Sequence, residues 1–224
     1  MIKLSRFSRS LPAVALSLLA AATLQAQNYN EVGDAGASVP GAQSTGMAGA
    51  ALSSISGTIL NGLDGDFFYI TIMNPGAFSA TTVGNGTALD TMIYLFTLSG
   101  NPVYLNDDSM GGIQSTLPGG HPFGPLVAGT YIIGISLSGS EPINLQNQQL
   151  FADGVFSTDV RGPRMGALGP VTGVTQSAFP GSGAYTITLT GATASAIPEP
   201  SSVVLLACAG MGGLIVLRRR VRRS

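Results

Sequence analysis

Five aspartates in the middle of the chain offer the clearest chemistry: Asp64, Asp66, Asp90, Asp107 and Asp108. Each sits beside a turn signal, in Asn61-Gly62, Asp64-Gly65, Leu89-Asp90-Thr91 and Asn106-Asp107-Asp108-Ser109. Calcium takes six to eight oxygen ligands, and carboxylates gathered at loops meet that need. Asp64 and Asp66 point to one side of an extended chain, whereas Asp107 and Asp108 converge only through a turn. The same residues also bond local backbone at turns. Two readings therefore stand side by side, a calcium site or plain Asx-turn chemistry.

Catalytic groups are scarce. The single histidine, His121, lies between Gly120 and Pro122, and no Gly-x-Ser-x-Gly elbow supplies a nucleophile for it. Zinc would require further His or Cys ligands, and the one cysteine, Cys208, lies in an apolar terminal run. No P-loop or dinucleotide fingerprint occurs. A carboxylate pair could cleave a glycoside, which keeps a hydrolase or accessory module acting on extracellular matrix polymers as the alternative to a non-catalytic role. Tyr94 and Tyr104 read as core or cross-strand residues, and the absence of tryptophan removes the strongest sugar-stacking residue.

The elements that must position these groups read as short strands. Residues 66–73 alternate, with Phe68, Ile70 and Ile72 on one face and Phe67, Tyr69 and Thr71 on the other. Asn74-Pro75-Gly76 ends that strand, and 77–83 forms the next. Residues 89–98 are apolar on both faces and predict a central strand between two covering layers. Val103-Tyr104-Leu105, then 130–138 and 184–191, complete the pattern, the last with Tyr185, Ile187 and Leu189 inward. Between these final two strands lie about forty-five residues, 139–183, with a short helical turn expected over 146–151; so long a loop signals a functional excursion or a misread element. Turns every eight to twelve residues predict an all-β fold, an antiparallel β-sandwich or jelly-roll, over 55–196. Residues 27–54, rich in Gly, Ala and Ser, predict a flexible leader or an edge segment.

Both ends read as addresses. Lys3, Arg6 and Arg9 precede an apolar stretch, and Ala26 offers a cleavage site, which predicts a signal peptide over 1–26. At the other end Pro198-Glu199-Pro200 precedes an uncharged apolar run, 201–217, about 25 Å long as a helix. Arg218, Arg219, Arg220, Arg222 and Arg223 follow and would hold that end in the cytoplasm. These segments carry eight of the ten basic residues, so 27–197 holds ten acids against Arg161 and Arg164, a formal balance of −8. Such a surface repels nucleic acid and anionic lipid and suits divalent cations.

The proline-glutamate-proline triplet, single helix and terminal arginine cluster of 197–224 resemble the PEP-CTERM sorting signal of Gram-negative bacteria. That resemblance implies an exosortase as partner, an inner-membrane-anchored precursor, and an ectodomain that ends in the envelope or extracellular polysaccharide. A second resemblance runs through Asp64-Gly65-Asp66-Phe67, Phe78-Ser79-Ala80-Thr81-Thr82, Leu89-Asp90-Thr91, Leu95-Phe96, Asn106-Asp107-Asp108-Ser109 and Ala128-Gly129-Thr130-Tyr131. This order looks like the bacterial pre-peptidase C-terminal domain, which implies a β-sandwich or jelly-roll module that binds matrix or assists secretion. No peptidase domain accompanies it here.

Overall fold

The computed structural model describes residues 26–196 apart from Leu168 and Pro180. The expected signal peptide over 1–26 lies outside it save for Ala26, as do Pro198, Glu199, Pro200, the 201–217 helix and the five terminal arginines. Among the described residues no helix is long and apolar enough to cross a membrane.

The described chain is all-β, with helix limited to 3-10 turns at Val39–Gly41 and Pro75–Ala77. In chain order the strands begin with β1 (Gln27–Asn30), β2 (Gln43–Ser44), β3 (Leu52–Ile59), β4 (Gly65–Ile72) and β5 (Ser79–Thr81). Then come β6 (Thr91–Thr97), β7 (Pro102–Asn106), β8 (Thr116–Leu117) and β9 (Gly129–Leu137). The last are β10 (Pro142–Ile143), β11 (Val160–Arg161), β12 (Gly173–Val174), β13 (Gly183–Thr190) and β14 (Ala192–Ala194). One sheet runs β1-β3-β13-β5-β8; the larger runs β11-β7-β6-β9-β4-β14, with β2 also on β4. A two-stranded ribbon joins β10 to β12.

The two main sheets face each other across one apolar layer. Ile55, Ile59, Phe78, Leu117, Tyr185 and Ile187 of the smaller sheet and its flanks meet Phe68, Ile70, Ile93, Leu95, Tyr104 and Ile133 of the larger. Period-two alternation places those side chains: Phe68, Ile70 and Ile72 enter this layer, while Phe67 and Tyr69 enter a second one. That second layer lies on the outer face of the larger sheet, where Phe67, Tyr94, Phe96 and Ile132 are covered by Leu150, Phe151, Val171 and Val174. The long 139–183 segment is therefore a lid that packs its own apolar side chains onto this face. Burying both faces explains why β6 reads as a continuous apolar run. It sits in the sheet interior between β7 and β9, trimmed from the expected 89–98 to Thr91–Thr97.

Two details differ from expectation. The sheets are mixed, because β1 lies parallel to β3 and β2 parallel to β4. Parallel neighbours need a long crossover, and the 27–54 segment supplies it by crossing from the edge of one sheet to the other. Residues 146–151 form no helix. Asn147 takes a positive φ of 58° in a tight turn, with its amide donating to Asn144 O at 2.9 Å, and Ile143 bridges Gln149 instead.

Candidate functional site

Strand register collects the carboxylates at one end of the larger sheet. Gly65 at the start of β4 pairs with Ser136, and Thr91 at the start of β6 pairs with Leu137, so both strands begin where β9 ends. Strand β7 ends beside them, with Asn106 opposite Ile93. Asp64, Asp66, Asp90, Asp107 and Asp108 consequently share a rim, but they divide into separate groups.

Asp90, Asp107 and Asp108 form the first group, offering carboxylate oxygens within 4.8 Å of one another. The loop is fixed from below. Asn106 donates through Nδ2 to Asp108 O at 2.9 Å and accepts from the Thr116 amide at 2.8 Å, while Ser138 N donates to Asp90 O at 3.0 Å. One oxygen of each aspartate is buried without a hydrogen-bond partner. Burial pushes the Asp107 carboxyl up to about 6, helped by Asp108 and Asp90 and opposed by the Ser138 hydroxyl and Arg161. Asp90 is raised as well, first by burial and then by Asp108. A cavity of about 250 Å³ adjoins Asp107, walled by Ser138, Glu141, Phe156, Arg161 and Phe179. Arg161 holds Glu141 at 2.8 Å within that wall.

Asp66 belongs to a second group, with Glu31 and Asp34, again within 4.8 Å. Asp66 has no exposed surface and neither of its oxygens has a partner. Burial pushes it up to about 9; the Tyr185 hydroxyl, facing it without closing a hydrogen bond, works against that rise, and Glu31 and Asp64 add to it. Asp64 stands at the edge of this group. Its Oδ2 accepts from the Leu60 amide at 2.6 Å, a local turn contact, and burial followed by Asp34 and Glu31 raises it against that bond.

Glu31 and Asp34 are functional candidates that sequence reasoning missed. The Glu-x-x-Asp spacing is present, with Gly33 at φ 71° turning Asp34 back toward Glu31. Their partner, however, lies more than thirty positions along and on the other sheet, so only the packing of the two sheets joins them. His121 is remote from this chemistry: its Nδ1 accepts from the Phe123 amide at 3.2 Å, and its ring stacks against Tyr104.

The chain matches no protein family model, and no curated protein is similar to it.

Proposed function

We propose that this chain is an exported, non-catalytic surface or matrix-associated protein whose β-sandwich, of pre-peptidase C-terminal or jelly-roll type, is displayed at the envelope or in extracellular polysaccharide of a Gram-negative bacterium. In this reading a signal peptide over 1–26 directs export. The 201–217 helix holds the precursor in the inner membrane, and exosortase cuts near Pro198-Glu199-Pro200. The observation that carries the binding role is the gathering of carboxylates from the ends of four strand-and-loop segments on one rim of the domain. Close carboxylates repel one another, and a divalent ion that binds only the folded state relieves that repulsion. The donors are all oxygens, so calcium is the ion they suit. The rim then serves as a cation-dependent contact with polysaccharide or envelope components.

Intact mass of the mature protein from its native host, combined with cell fractionation, tests the reading. A product lacking both terminal segments and recovered from the envelope or medium supports it. A full-length product retained in the inner membrane overturns the sorting mechanism. Turnover of a matrix polysaccharide by the purified chain would replace the non-catalytic role with the hydrolase alternative.

A further inference from the structure

We propose that Glu31, Asp34 and Asp66, with the Tyr185 hydroxyl, form a calcium site that clasps the N-terminal segment to the mouth of the sandwich. The proposal does not depend on where the chain is exported or how its tail is processed. Three carboxylates within 4.8 Å do not by themselves make a site. What distinguishes this group is Asp66, which has no exposed surface and two oxygens without partners. A buried polar group left so is costly unless it finds a partner or ligates a metal. Tyr185 is an independent second sign: it is 2% exposed, and its hydroxyl also lacks a partner. Buried tyrosine hydroxyls ordinarily find one.

The fold aims these groups together. Tyr185 on β13 pairs with Gly57 on β3, and Glu31 follows β1, which lies on the other side of β3. A Cβ at position 57 would strike both the Tyr185 hydroxyl and Glu31 Oε2, so glycine there leaves the space in which the two converge. Glu31 is itself oriented by backbone, its oxygens accepting from the Ala35 amide at 2.8 Å and the Thr58 amide at 3.0 Å. Each oxygen keeps a further lone pair for a ligand. Exposed Asp34 closes the group from the solvent side. Three carboxylates and a hydroxyl are hard donors of the kind calcium prefers, with waters completing its shell. The ion would join β1 and its following turn to β4 and β13.

Terbium, a luminescent substitute for calcium, provides the probe. The chain has no tryptophan, so sensitised emission must come from tyrosine. Full-length chain in detergent should show terbium emission on tyrosine excitation, displaced by calcium. Asp34→Asn and Asp66→Asn should each weaken it at least tenfold, and calcium should raise the melting temperature of Asp66→Asn by less than that of the unsubstituted chain. Because Asp34 is exposed, its variant tests the site without disturbing the core. In chelator, Asp66→Asn should melt close to the unsubstituted chain, since the amide keeps the carboxyl's size and only the ion-dependent gain is lost. Emission and calcium response unchanged in both variants would overturn the proposal. So would loss of both signals in Asp107→Asn/Asp108→Asn with retention in Asp34→Asn, which would place the only strong ion in the neighbouring group.

Discussion

Leu95 has no exposed surface and lies between Ile133 and Tyr104 of its flanking strands. Leu95→Ala removes packing from the layer between the sheets and should cost about 2–5 kcal/mol, read as a fall in denaturant midpoint. An unmoved midpoint would make β6 peripheral. Gly134 presents the opposite case, because a methyl there would run into the rings of Tyr94 and Phe67. Gly134→Ala should destabilise by about 1–3 kcal/mol through overpacking rather than a cavity. At the rim, free calcium at one hundred times its dissociation constant should add about 2.7 kcal/mol of stability. Asp107→Asn/Asp108→Asn should remove whatever part of that gain belongs to the Asp90 group. Magnesium should give less, since it holds its waters more tightly, and matched ionic strength separates binding from screening.

At the scale of elements, legibility followed periodicity. Strands β4 and β13 keep a period of two, so Phe68, Ile70 and Ile72 could be placed on one face of β4, and Tyr185, Ile187 and Leu189 inward on β13, from spacing alone. The 139–183 segment could not be read that way. Its anchors, Leu150, Phe151, Val171 and Val174, are scattered among loops and the two-residue β12, and follow neither a helical nor a strand period. The five rim aspartates were visible because turn chemistry marks strand ends, whereas Glu31 and Asp34 were hidden in a segment with few large apolar residues. Parallel pairing of that segment depends on partners far along the chain and leaves no local pattern. The lid has a measurable role: Phe151 is 1% exposed and packs on Phe96 with ring centres 5.6 Å apart. Phe151→Ala should cost about 3–5 kcal/mol and speed proteolysis within 139–183. Stability held to within the error of the melt would mean that the lid rests on the sheet without supporting it.

For the whole molecule, the sorting proposal gives a test separate from any folding measurement. Replacing Pro198-Glu199-Pro200 with three alanines should leave an unprocessed, membrane-bound product, seen as a higher intact mass in the membrane fraction. Normal release of that variant would mean that processing does not depend on the triplet. The architecture adds a consequence for timing. Ser56 on β3 meets Thr186 on β13 across 130 residues, and the Thr45 hydroxyl accepts from the Ser195 amide across 150. Neither pairing can form until almost all of the described residues have been synthesised. Folds dominated by such distant pairings fold in milliseconds to seconds rather than microseconds, so stopped-flow refolding should be slow. A chain of this topology stays open until most of it has been made, and under the export proposal that delay would let it be threaded through a membrane before it folds.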